Sequence, residues 1–247
     1  MWRNGREFIK NLFKRRPKRT VLYSKLEPRS AADSDRSDIR VLEDGPSVKR
    51  HGDYEHGSSN IARQAEGERL ISLAKENRLY IEKERWRSFG DQKRLPSGES
   101  IVFLNEQGTR VIKVRDPFAK AAIKHLHAQD VIYEHLIHNI LFPSTKYKFE
   151  GISEDIDGVR VVLSQDYISK SFIIPTQYQI DNYLSCVLGL QQENKYFWGN
   201  EYVSITDVSA NSDNVLMIDQ ELFFIDPIIV MKRPAIEVLE YYYQLLQ

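Results

Sequence analysis

Two prolines bracket the middle of this chain. Pro117 and Pro143 enclose "FAKAAIKHLHAQDVIYEHLIHNILF", a stretch without glycine or proline. Proline suits the first turn of a helix and cannot continue one, so this spacing predicts a long helix that starts after Pro117 and stops at Pro143. Strand signals stand on both sides of it. Before it, "GESIVFLNEQGTRVIKVRD" carries two β-rich runs, 101–104 and 111–114, joined by a turn with Gly108. After it, "TKYKFEGISEDIDGVRVVLSQDYI" reads as a second strand pair that turns near "EDIDG".

The remaining elements follow the same logic. "QAEGERLISLAKENRLYIEKERW" reads as a helix, with Leu70, Leu73, Ala74 and then Leu79 to Ile81 along an apolar stripe. "PTQYQIDNYLSCVLGL" opens with Pro175 and Thr176, carries Ile180, Tyr183, Leu184, Val187 and Leu188 on one side, and ends near Gly189. "EYVSITDV", "NVLMI" and "LFFIDPII" are short strands, and "AIEVLEYYYQLLQ" is a terminal helix. Strands, one long helix, more strands, a helix and strands again predict an α+β domain.

The segment 1–64 differs in kind. "SAADSDRSDIRVLEDGPSVKRHGDYEHGSSN" is polar and broken by Gly and Pro, and cannot bury enough apolar surface to offset its ordering entropy. The expected organisation is a flexible basic tail over 1–64 and a domain over 65–247. Lysine and arginine balance aspartate and glutamate at 35 each, so net charge selects no partner. The layout is uneven, with eight cations against Glu7 alone in residues 1–19. Phe8/Leu12 and Ile9/Phe13 are spaced for a short amphipathic helix on an anionic surface, nucleic acid or membrane, although a solvated basic arm fits as well.

No apolar run approaches the ~18 residues of a membrane span, and the basic N-terminus lacks the apolar core of a secretory signal. The expectation is a soluble cytoplasmic protein. Its one cysteine, Cys186, has apolar neighbours and reads as a small buried residue. His51, Asp53, Glu55 and His56 have metal-ligand chemistry but sit in a Gly-rich stretch with no second cluster. His125, His127, His135 and His138 on the long helix read as surface or satisfied core residues.

Five polar residues resist a purely structural account. Phosphoryl transfer needs a cation on the phosphates, an acid to fix that cation, hard oxygen ligands for metal, and a carboxylate that orients the acceptor hydroxyl. Lys113 lies in the strand "RVIKV", similar to the strand that carries the kinase lysine. Glu134 follows in the middle of the long helix, far enough on for a loop and most of a helix to intervene. Asp207 and Asn214 stand at the two ends of a loop between strands, and Asp226 follows "FFI" at a strand end. Each alone could be a turn, edge or surface residue; their order on these elements is that of a kinase. Asp207 then orients the acceptor, Asn214 and Asp226 supply metal oxygens, and Lys113 and Glu134 form the phosphate-binding pair.

From about Glu66 to Met231 the chain resembles the serine/threonine/tyrosine kinase-like domain found in polyvalent proteins of phages and conjugative elements. The matching stretches are "ERLISLAKENRLYI", "SGESIVFLNEQGTRVIKV", "IHNILFPSTKYKFEGISEDIDGVRVVLSQDYI", "ITDV", "DNVL" and "FFIDPII". "FPSTKYKFEG" and the "NVL…FFIDPII" ending are the more specific of these. The resemblance implies a reduced protein-kinase-like fold, with a β-rich N-lobe, one long helix and a short C-lobe, and it implies ATP and Mg2+. It carries over to Lys113, Asp207, Asn214 and Asp226, and extends to Glu134.

Departures from the kinase pattern accompany it. The phosphate loop "LPSGESIVF" offers Gly98 where kinases have three glycines. The loop from Asp207 to Asn214 is longer than the kinase catalytic loop, so that Asn211 is a second candidate ligand. The third motif reads Asp-Pro-Ile, and the stretch from Asp226 to Gln247 is too short for a long helical C-lobe. Three readings stand: an ATP-dependent phosphotransferase acting on a hydroxyl of a protein or small molecule, a pseudokinase that serves as an interaction module, and a nucleic-acid-associated accessory protein that binds through its basic tail.

Overall fold

The computed structural model describes residues 56–93, 100–119, 128, 130–169 and 171–246. The basic segment, His51, Asp53, Glu55, Gly98, His125 and His127 lie outside the described residues, as does the side chain of His56. The chain is mixed α+β and divides into two compact units.

The first unit, 56–136 and 146–169 among the described residues, is built on one antiparallel sheet. Its strands are β1 (Asp91–Lys93), β2 (Ser100–Leu104), β3 (Arg110–Arg115), β4 (Tyr147–Asp155) and β5 (Gly158–Asp166), in the order β1-β2-β3-β5-β4. The β2–β3 turn forms where the sequence predicts it. Gly108 takes φ 63°, and Asn105 Oδ1 accepts the N–H groups of Thr109 and Arg110, both at 2.8 Å. β4 and β5 turn at Ile156 and Asp157, inside the expected "EDIDG".

Alternation along β3 gives the sheet two different faces. Ile112 and Val114 point to an apolar side, where Phe103, Val162, Ile81 and Trp86 close a core. Trp86 Nε1 donates to Ser153 Oγ at 2.9 Å, so the indole is buried with its polar atom satisfied. Lys113 and Arg115 point to the other side, with Tyr147 and Phe149 of β4.

Two helix expectations need correction. The helix α1 (His56–Glu76) stops well short of Trp86. Arg78 has φ 60°, and Tyr80 bridges to Ile152 of β4, with Ile81 N–H donating to Ile152 O at 2.8 Å. Leu79 and Ile81 are therefore apolar because they pack along the sheet; a 3-10 segment, Lys83–Phe89, follows them. Gly151 is required at this seam: its φ is 152°, and a Cβ there would meet Leu79 O at 2.2 Å.

The long helix also shortens. α2 spans Asp130–Leu141, and the chain between β3 and α2 includes turns at Pro117–Phe118 and Ala128. Phe118 N–H donates to Asp116 Oδ1 at 2.9 Å, a side-chain turn that competes with helix entry at Pro117. Pro143 ends the helix as expected and opens a 3-10 turn, Pro143–Thr145. α2 is divided at Leu136, the last residue of the first unit's segment.

The second unit comprises 137–145 and 171–246 among the described residues. α3 (Gln177–Asn182) starts with a full capping box between Thr176 and Gln179, and widens into a π turn, Tyr183–Val187. Ile180 and Leu184 face inward, whereas Cys186 is exposed, against the expectation of burial. Two positions beyond a buried helical residue, a side chain points away from its face. β6 (Gln191–Gln192), β7 (Trp198–Gly199), β8 (Val203–Thr206) and β11 (Ile228–Met231) form a sheet ordered β11-β8-β7-β6. β9 (Val215–Ile218) and β10 (Glu221–Phe224) form a separate hairpin. Its turn residues, Asp219 and Gln220, have φ of 51° and 67°, the twist that a two-residue hairpin turn requires. α4 (Ala235–Leu245) buries Val238, Leu239 and Tyr242.

Candidate active site

Two antiparallel registers in the second unit bring the predicted residues to common ends. β8 pairs with β11 so that Thr206 lies opposite Ile228. Asp207, just past Thr206, and Asp226, shortly before Ile228, therefore leave the same end of that pair. β9 pairs with β10 so that Val215 lies opposite Phe224. Beyond that pair, Ile225 N–H donates to Asn214 O at 2.8 Å, which puts Asn214 beside the residue that precedes Asp226.

The loop between Asp207 and Asn214 closes on itself. Asn214 Nδ2 donates to Asp207 Oδ2 at 2.6 Å. Ser212 Oγ donates to Asp207 O at 3.1 Å, and Ala210 N–H donates to Gln177 Oε1 of α3 at 3.0 Å. Asp207 has φ 61°, a left-handed conformation that Asp tolerates better than most residues. A carboxylate only accepts, so the amide nitrogen must face Asp207 and the Asn214 Oδ1 is the atom left for a cation. Asn211 is exposed in the same loop.

This donor set suits one kind of metal. Among the described residues, no group of three or more His, Cys, Asp or Glu side chains could hold a metal ion by itself. An amide oxygen and an exposed carboxylate are hard ligands, too few for an all-protein cage. They fit Mg2+, which keeps waters and takes substrate phosphates into its shell.

The first unit carries the predicted cation. Lys113 is 9 % exposed, and its Nζ donates to Tyr147 Oη at 2.8 Å while lying 5.0 Å from the centre of that ring. Glu134, buried on α2, forms an ion pair with Arg115, Nη1 lying 3.0 Å from Oε2. Arg115 is two positions along β3 from Lys113 and shares its face. The next α2 residue, His135, stacks on Phe149 with ring centres 6.2 Å apart. The face that bears Lys113 is thus the face against which α2 presents Glu134.

A family model for the serine/threonine/tyrosine kinase found in polyvalent proteins matches residues 63–233. The chain belongs to this family. No curated protein and no solved structure matches it.

Within this kinase-like domain, Asp207, Asn214 and Asp226 come together at strand ends, and Lys113 and Glu134 lie on facing elements. Three supporting residues were not expected. Arg115 pairs with Glu134, Tyr147 holds Lys113, and Gln177 holds the loop after Asp207. The first was legible in principle, since i and i+2 share a strand face. Tyr147 sits in "FPSTKYKFEG", one of the more specific stretches. Among the described residues, no helix is long and apolar enough to cross a membrane.

Proposed function

We propose that this chain is an ATP-dependent phosphotransferase that delivers a phosphoryl group to a hydroxyl acceptor. The observation that carries the reading is the Asn214–Asp207 hydrogen bond of 2.6 Å at the strand ends that also bear Asp226. It joins an acceptor-orienting carboxylate to a metal-binding amide within one hydrogen-bonded loop. Asp207 orients the acceptor hydroxyl and takes its proton. Asn214 Oδ1 and Asp226 hold Mg2+, which offsets phosphate charge when bound. Lys113 supplies the phosphate-binding cation, and Glu134, neutralised by Arg115, keeps α2 against β3.

A thermal-shift titration of the full chain with ATP, with and without magnesium, tests this. A ligand bound only by the folded state adds about 2.7 kcal/mol at a hundred times its Kd. The expected result is a magnesium-dependent rise that Asp226→Asn abolishes. Equal shifts for wild type and Asp226→Asn refute the metal assignment. No shift with millimolar ATP turns the reading to a pseudokinase.

A further inference from the structure

Two segments far apart in the sequence, 138–145 and 221–224, meet at one atom. Phe224 O accepts a hydrogen bond from Thr145 Oγ1 at 2.6 Å and lies 3.2 Å from His138 Nε2. A carbonyl oxygen only accepts, so Nε2 carries the proton. The ring of Phe224 is held as firmly as its carbonyl. It stacks on Phe142 with ring centres 4.5 Å apart and meets Tyr183 at 5.1 Å. At the start of β10, Ser144 Oγ donates to Glu221 Oε1 at 2.6 Å. The helix end and 3-10 turn, from His138 to Thr145, therefore grip β10 at both ends.

Phe224 is the last residue of β10, and only Ile225 separates it from Asp226. Ile225 has its N–H on Asn214 O. With the Phe224 carbonyl held on one side of the peptide bond and the Ile225 N–H on the other, that peptide plane is fixed. Asp226 follows from that plane through the backbone of Ile225. We infer that His138 and Thr145 are positioning residues for Asp226: by holding the Phe224 carbonyl they set where the metal-binding carboxylate stands. This rests on the phosphotransferase reading for the role of Asp226, while the clamp can be tested without nucleotide.

Thr145→Val keeps the side chain's shape and removes its hydroxyl, and Thr145→Ser returns the hydroxyl. Both are compared with wild type as full-length chains by two readouts. The first is hydrogen exchange of the nucleotide-free protein over residues 221–228, with residues 158–166 as internal reference. The second is ATP affinity with and without magnesium. Thr145→Val is expected to speed exchange over 221–228 and not over 158–166. It should also weaken magnesium-dependent ATP binding by about 10-fold, the low end of the effect of losing a ligand's direct partner, because Thr145 acts through the Phe224 backbone, with metal-free affinity unchanged. Thr145→Ser should restore both. His138→Leu, which removes the second donor, should move the same two readouts and serves if Thr145→Val does not fold.

Unchanged exchange over 221–228 overturns the clamp. Faster exchange with the magnesium dependence intact overturns its bearing on Asp226. A wild-type chain with no magnesium-dependent gain refutes the phosphotransferase reading itself, and the exchange experiment alone then decides the clamp.

Discussion

Asn214 Nδ2 donates to Asp207 Oδ2 at 2.6 Å, and the direction of that bond fixes which way the amide points. The sequence offers two asparagines for the metal, Asn211 and Asn214. Asn211 is exposed in the loop, whereas Asn214 is anchored by its side chain to Asp207 and by its carbonyl to Ile225. Asn214→Ala is therefore expected to abolish the magnesium-dependent gain in ATP affinity, and Asn211→Ala to leave it intact. Calorimetric titration of both variants with ATP at fixed magnesium checks this. Loss of the gain in Asn211→Ala alone reverses the assignment.

Asp207→Asn separates orientation from binding. The new amide oxygen can still accept from Asn214, so the loop keeps its shape while the charge that draws the acceptor proton is gone. General-base assistance is worth about 10²–10⁴-fold. Phosphoryl transfer, or basal ATP hydrolysis where the acceptor is not in hand, should fall by that factor with ATP affinity nearly unchanged. A parallel fall in affinity identifies Asp207 as a binding residue instead.

The framework around the candidate site is legible in part without coordinates because it is local. Gly108 and Asn105 make the β2–β3 turn from their own chemistry, and Asp207, Asn214 and Asp226 are placed by the apolar strands beside them. The failures are non-local. Leu79 and Ile81 continue a helical stripe in sequence, yet they flank the bridge from Tyr80 to Ile152, a partner far along the chain. Cys186 has apolar neighbours, but a π turn and a face set by Ile180 and Leu184 leave it outside. β6 and β7 are very short and exist only through their pairing with one another and with β8, so no periodicity announces them. The contact of Thr145 with Phe224 joins stretches that lie far apart in sequence, and only the structure brings them together.

Lys113→Met tests the cation on β3. Methionine matches the length and flexibility of the lysine stem, so packing beside Tyr147 survives and the charge alone is lost. A hydrogen bond to a charged group contributes about 1.5–3 kcal/mol, so ATP affinity should fall roughly 10–100-fold, and transfer with it. Thermal unfolding without nucleotide serves as the control for fold. ATP affinity and transfer equal to wild type would remove Lys113 from the site.

Acid stability provides a test that does not depend on the chemistry. Glu193 is held below its ordinary value of 4.5, first by the hydrogen bond from Lys232 Nζ and next by that from Ser204 Oγ. Lys232 also donates to Asn200 O at 2.6 Å, so this cluster ties the β6–β7 turn to β8 and to the end of β11. A carboxylate with a depressed folded value contributes stability that is present above its unfolded value and lost as pH falls through the folded one. The pair is partly exposed, so its worth is under about 1 kcal/mol. Glu193→Gln should therefore unfold at a lower temperature than wild type by a constant margin from about pH 7 to about pH 5, and the margin should close below the ordinary value. Differential scanning calorimetry of both chains across that range measures it. A margin that stays constant below Glu193's folded value shows that the Glu193 charge contributes nothing to holding β6 and β7 against β8.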